Sequence, residues 1–164
     1  MMMTIKPFLE KHSYSEPMNM VLNLFEELPN ALVINEKLKP FGVTITDLRP
    51  ESINVLVDYI EYILDDNILS QQEMESLEFL KRYLRIKEGD FFVFHKEDVI
   101  QKTIYNQMKI ILADLNVDKD EAIVKVNLQK LFDLSYDQFL KFERKAIEEA
   151  LNNGANIKNL DTIA

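Results

Sequence analysis

The sequence contains no cysteine and no tryptophan, and it has few residues that break helices. The absence of cysteine excludes disulfides, thiolate nucleophiles and thiolate metal sites, and it is compatible with a cytoplasmic protein. Only 3 glycines and 5 prolines occur among 164 residues. A chain built mainly of strands and tight turns needs more of both, so this composition favours long helices joined by short connections.

Basic residues and long apolar runs are scarce as well. The chain has 19 Lys and Arg residues against 28 Asp and Glu residues, which gives a formal net charge of −9. Such a charge repels phosphate backbones, so we expect no nucleic-acid partner, and cations or a basic protein suit it better. No apolar run approaches the roughly 18 residues that cross a bilayer, and the first residues lack the apolar centre of a secretory signal. We therefore expect a soluble, cytoplasmic protein without membrane insertion.

Hydrophobic residues make up 47% of the chain, which is enough for a packed core. In five stretches they recur at intervals of three and four, a spacing that predicts helices with one buried face. The predicted helices lie near residues 50–65, 71–86, 96–113, 119–133 and 136–152. In the fourth helix, the apolar residues of this pattern are Ile123, Val126, Leu131 and Phe132. Ser70 with Glu73, and Ser135 with Gln138, have the spacing of capping boxes that open the second and fifth helices.

These helices predict an all-α, single-domain bundle over residues 50–152. Residues 1–49 form an N-terminal extension in this interpretation, and residues 153–164 form a short tail. Within the extension, Ser15 to Leu28 has helical spacing, and the stretch that follows is either another short helix or an irregular packing arm.

An internal repeat relates the two halves of the predicted bundle, with an offset of 48 residues. The acidic and core residues that coincide are Asp66 with Asp114, Glu73 with Glu121, and Leu80 with Leu128. Self-similarity at a fixed offset indicates a duplicated helix–turn–helix unit, roughly residues 53–94 and 101–142. We expect the two units to superpose through an approximate two-fold rotation, because each exposes an apolar face that the other can cover.

The acidic stretch ILADLNVDKDE, residues 111–121, begins like a calcium-binding loop. Counted from Asp114, however, Lys119 stands where the loop needs glycine and Lys125 where it needs a bidentate glutamate, which excludes an EF-hand. In both repeats the first acid follows the carboxyl end of a helix, where the helix dipole disfavours a carboxylate. A nearby cation, a basic side chain or exposure to solvent can each account for that position.

The segments YILDDNILSQQEMESLEFLKRYLRI, residues 62–86, and IILADLNVDKDEAIVKVNLQKLFDL, residues 110–134, resemble the repeated halves of the bacterial tellurite-resistance TerB-like domain family. The resemblance covers about residues 50–152, although Asn67 and Leu115 stand where the family often has glycine. It implies an all-helical fold, a role in stress response rather than turnover, and an acidic divalent-metal site where the halves meet. The ligands it implies are Asp66, Glu73, Asp114 and Glu121. Such oxygen ligands suit calcium, magnesium or manganese.

Three alternatives remain open from the sequence. Glu73 and Glu121 can be capping-box residues and nothing more. The chain can be a helical adaptor or inhibitor whose acidic face binds a basic protein without metal. It can also be a metal-dependent hydrolase with Asp66 and Asp114 as ligands. No Gly-rich phosphate loop, Ser-His-Asp set or zinc spacing occurs, so we expect a protein that is not an enzyme.

Overall fold

A computed structural model of the protein describes residues 5–64, 68–113 and 118–153. Those residues form an all-helical bundle without strands, which confirms the predicted class. The α-helices are α1 Lys6–Leu9, α2 Glu16–Asn23, α3 Ala31–Leu38, α4 Arg49–Ile63, α5 Gln71–Tyr83, α6 Asp90–Val93, α7 Glu97–Ala113, α8 Asp118–Leu131 and α9 Tyr136–Asn152, with short 3-10 helices at Phe25–Glu27 and Lys39–Phe41. No helix of this described part is long and apolar enough to cross a membrane.

The two predicted capping boxes are confirmed. At the start of α5, the backbone N–H of Glu73 donates to the Ser70 hydroxyl oxygen at 3.1 Å, and the Ser70 N–H donates to the Glu73 carboxylate at 3.0 Å. At the start of α9, Ser135 and Gln138 make the same pair of bonds at 3.1 and 2.9 Å. Each box satisfies backbone donors that the first helical turn leaves without partners.

The carboxyl ends of α5 and α8 have the same turn, although neither contains glycine. Arg85 and Asp133, which lie 48 residues apart, both adopt a left-handed backbone, with φ of 61° and 53°. The next residues, Ile86 and Leu134, are buried and donate their N–H groups to carbonyls five residues earlier, at 3.1 and 2.9 Å. This is the Schellman arrangement, in which an apolar side chain after the turn packs back on the helix.

The segment before α4 packs on the helices that follow it. The Tyr83 hydroxyl of α5 donates to the Val21 carbonyl at 2.5 Å, and the Tyr14 hydroxyl donates to the Asp58 carboxylate of α4 at 2.8 Å. Burial, followed by the bond to Asp58, raises the pKa of Tyr14. The buried apolar side chains that this segment adds to the common core are Ile5, Phe8, Met18, Val21, Leu22, Phe25, Ile34, Leu38, Ile45 and Leu48.

In the second half of the chain, α7 packs along α9, and α5 lies against both α4 and α8. Leu80 and Leu128 have no exposed surface, as their place in the predicted core requires. The expectation that Ile123 and Val126 share the buried face with Leu131 and Phe132 is wrong, since they are 52% and 61% exposed. The buried side chains of α8 are Glu121, Val124, Asn127, Leu128 and Leu131.

Candidate functional site

Of the four predicted metal ligands, Asp66 and Asp114 lie outside the described residues. The structure therefore places only Glu73 and Glu121, which lie in the first turns of α5 and α8. Within residues 5–64, 68–113 and 118–153, no three His, Asp or Glu side chains are grouped so that they could hold a metal ion. The predicted site of four carboxylates stays a prediction.

Glu73 has a local structural role. One of its carboxylate oxygens accepts the Ser70 N–H of the capping box, and the side chain is only partly buried. Its charge also reaches Tyr59 on α4. Burial first, then Tyr62 and Glu73, raise the pKa of the Tyr59 phenol to about 12. Glu73 thus caps the amino end of α5, and it lies near the Tyr59 phenol, which stays neutral at physiological pH.

Glu121 has a different environment, in a buried charge cluster of three side chains. It is 5% exposed, and its Oε1 lies 3.4 Å from Lys125 Nζ. The same ammonium lies 3.0 Å from Oε2 of Glu143 on α9, which is 7% exposed. Both of these carboxylate oxygens are buried without a hydrogen bond of good geometry. Charge attraction to Lys125 is therefore what holds them.

The charges of the cluster do not balance. In the part of the chain that the structure describes, two carboxylates share one ammonium, so these three side chains carry a formal charge of −1 while being only 6%, 9% and 19% exposed. A buried charge in excess is costly, because solvent no longer stabilises it. A bound cation would remove that cost. Sequence reasoning missed Glu143, and the spacing of Glu121 and Lys125, four residues apart on one helix face, was the available signal.

A second buried ion pair is structural. Asp90 is 2% exposed and pairs with the Arg49 guanidinium, which ties the start of α4 to α6. The other Asp90 oxygen accepts the Lys87 N–H at 2.8 Å, a bond that matches the one between Ser135 and Gln138 at an offset of 48 residues. Both carboxylate oxygens of Asp90 thus have a partner within the protein.

Three recesses lie side by side across the carboxyl-terminal halves of α5 and α8. The first has a volume of about 400 Å³ and is bordered by residues that include Leu28, Phe79, Arg82 and Arg85. The second, of about 340 Å³, is bordered by Arg82, Lys81, Lys130 and Asp133, among others. The third, of about 530 Å³, is bordered by residues that include Lys130, Asp133, Val126, Leu134 and Glu88.

The three recesses adjoin one another through shared bordering residues, and together we call them the helix-end groove. Arg82 borders the first and second recesses, and Lys130 and Asp133 border the second and third. Sequence reasoning missed this groove, although the basic run KRYLRIK at residues 81–87 stands out in an acidic chain. Its apolar part includes Val126, which the helical pattern wrongly assigned to the core.

No family model, curated protein or solved structure matches this chain. The resemblance to TerB-like domains therefore stays a prediction, and the geometry of the described residues has to carry the functional argument.

Proposed function

We propose that this protein is a non-enzymatic helical module, built from two similar helix–turn–helix units, that binds a partner protein in the cytoplasm. The observation that carries this proposal is the helix-end groove, which joins three recesses and exposes apolar side chains at both ends. Apolar surface that stays exposed beside polar residues is typical of interaction sites. The groove also spans the ends of several helices, so it offers a rigid surface of a size that suits a peptide segment.

The two-unit part of the proposal is supported by local geometry that recurs at an offset of 48 residues. Helices α4 and α7 begin at residues 49 and 97, and α5 and α8 end at residues 83 and 131. The left-handed turns at Arg85 and Asp133 have the same offset. A shared turn after a shared helix is expected of duplicated units.

Retention of proteins from lysates of cells that express the chain tests the partner proposal. The wild-type chain is compared with Val126→Glu, which places a charge in the third recess, and with Phe41→Glu as a matched control. Phe41 is 39% exposed and borders none of the three recesses. We expect a set of proteins that wild type and Phe41→Glu retain and Val126→Glu loses. Equal retention by all three would contradict the proposal.

A second candidate function is divalent-cation binding, as in the TerB-like interpretation, and the excess carboxylate of the buried charge cluster favours it. Glu121 would act with Asp114, Asp66 and Glu73 as the sequence suggests, and Glu143, which shares Lys125 with Glu121, would be a further oxygen ligand. Calcium, magnesium or manganese bound there would neutralise the cluster. The measurement is calorimetric titration with each ion, together with the thermal midpoint, which binding raises by mass action.

The Asp66→Asn/Asp114→Asn variant and the Glu143→Gln variant should each abolish the heat of binding and the rise in thermal midpoint. Glu148→Gln, an exposed carboxylate elsewhere on α9, is the matched control and should change neither. If the wild-type chain binds none of the three ions at millimolar concentration, the cation-binding function is wrong, and the partner proposal is unaffected.

A further inference from the structure

The middle of the helix-end groove is neutralised within the molecule. Lys81 Nζ lies 2.5 Å from the Asp133 carboxylate and donates to the Leu131 carbonyl at 3.0 Å, so it caps the carboxyl end of α8. Lys130 Nζ lies 3.1 Å from the Glu78 carboxylate on α5. These two pairs cross between α5 and α8 and involve four of the charged residues that border the second recess. Of the charged residues that border this recess, they leave only Arg82 outside an ion pair.

The end of the groove beside α3 is different, because its two arginines have no acidic partner among the described residues. Arg82 lies with its guanidinium 5.5 Å from the centre of the Phe79 ring, and Arg85 has a buried Nε without a hydrogen-bond acceptor. The nearby Tyr83 adds no negative charge. Burial raises the pKa of its phenol, and its hydroxyl donates to the Val21 carbonyl.

Apolar side chains accompany these charges along the groove. Leu28 and Phe79 are 44% and 40% exposed beside the arginines, and Val126 is 61% exposed at the other end. Arginine and aromatic residues beside apolar surface are the composition of binding hot spots. A guanidinium fork matches a carboxylate through two parallel hydrogen bonds, which lysine cannot reproduce.

We propose that the helix-end groove binds a peptide segment of the partner with an acidic side chain on Arg82 and Arg85 and an apolar side chain on Val126. This inference rests on the proposed protein-binding function and adds the chemistry of the partner. It differs from the basic partner that the net charge of −9 suggests. Because the chain has a net charge of −9, an acidic segment gains no general attraction from it, and binding at the two arginines would therefore be specific.

The experiment is a selection of random 12-residue peptides, displayed on phage, against the full chain. Selected peptides are synthesised with a fluorophore, and their dissociation constants are measured by anisotropy for four proteins. These are wild type, Arg82→Glu/Arg85→Glu, Val126→Glu, and the matched control Lys141→Glu/Arg144→Glu. The control makes the same charge change at two exposed residues of α9 that border none of the three recesses. Circular dichroism verifies that each variant is folded.

We expect the selected peptides to share an acidic residue followed at a fixed spacing by an apolar one. The Arg82→Glu/Arg85→Glu variant should weaken their binding by about tenfold or more, because a carboxylate then faces a carboxylate. Val126→Glu should weaken it as well, and the control should stay close to wild type. Reversing the acidic residue of the peptide to lysine should restore binding to the Arg82→Glu/Arg85→Glu variant, which a folding defect cannot do.

The other outcomes separate this inference from the function on which it rests. Peptides that need Val126 but lack an acidic residue would overturn the inference and leave the protein-binding function standing. If no peptide is selected, or if all four proteins bind equally, both the inference and the protein-binding function are wrong.

Self-association that only the arginine variant loses would make the occupant of the groove a second copy of this chain. Binding to vesicles that contain phosphatidylserine, lost in that variant and without peptide binding, would assign the arginines to a membrane surface. Either result would overturn the inference.

Discussion

Helices α5 and α8 lie side by side and end in the same turn, but they distribute charge in opposite ways. Leu77 of α5 is a buried apolar residue. The residue 48 positions later, in α8, is Lys125, which lies between two buried carboxylates. On the outward faces, α5 has the charged residues and α8 the apolar ones. Glu75 and Glu78 lie on α5, and Ile123 and Val126 lie at the same offset on α8. Helix α5 follows the usual rule, with apolar residues inside and charged residues outside, while α8 departs from it on both faces.

The difference between the helices supports the proposal that α8 carries functional surfaces. A chain that buries an unbalanced charge and exposes two β-branched apolar residues on one helix gives up stability on both sides of it. Departures from local rules are expected at functional sites, since sequences elsewhere remain locally consistent. The inner face of α8 carries the candidate cation site, and the outer face borders the candidate groove.

The largest expected effect on stability concerns the fully buried leucine that α5 and α8 each contribute to the core. Leu80 and Leu128 are both fully buried, so changing either to alanine should lower the free energy of unfolding by about 2–5 kcal/mol. Denaturant unfolding measures the loss. Losses below about 1 kcal/mol at both positions would mean that these two leucines do not lie in the packed core in which the structure places them.

The next effect tests the inner face of α8. Lys125→Met should lower the free energy of unfolding at pH 7 by about 3 kcal/mol, because two buried carboxylates lose the ammonium that they share. The low end of the range applies since Lys125 is 19% exposed. Unfolding curves in denaturant provide the measurement.

The control for Lys125→Met removes all three charges together. Changing Glu121, Lys125 and Glu143 to leucine should leave stability unchanged or raise it by about 1–4 kcal/mol, as is common when a buried ionic cluster becomes apolar. A triple variant as unstable as Lys125→Met would show that packing, rather than charge, accounts for the loss.

A smaller effect tests the helix starts. Ser70→Ala and Ser135→Ala should each lower the free energy of unfolding by about 1 kcal/mol, because each removes one acceptor of a complete capping box. Ser70→Asp and Ser135→Asp keep an acceptor and serve as matched controls that should remain close to wild type. If the alanine and aspartate variants unfold alike, the side-chain bonds seen at these two starts contribute nothing.

The smallest effect on stability tests the outer face of α8. Ile123→Glu/Val126→Glu gives α8 the outward residue type of α5, and we expect a change within about 0.5 kcal/mol because both side chains are mostly exposed already. Thermal unfolding measures it. A loss above about 2 kcal/mol would show that this face is covered in the folded protein.

The sequence by itself determined the helices, the caps and much of the core. Ser70 with Glu73 opens α5 through bonds that join residues three apart, and Leu80 and Leu128 follow from helical spacing. These features depend on neighbours within about one helical turn, which is the range over which a sequence pattern and a backbone correspond. The all-helical class follows from the same local preferences, summed along a chain with few glycines and prolines.

Only the tertiary structure decided which way α8 faces and what its charges contact. Ile123 and Val126 fit a helical stripe as well as Leu131 does, but the buried side of a helix is set by the helices that pack on it, and α5 packs on α8. Lys125 reaches Glu143 across 18 residues of sequence, and the helix-end groove joins residues as far apart as Leu28 and Val126. No periodicity within one helix encodes such contacts, because they form only when separate helices pack together.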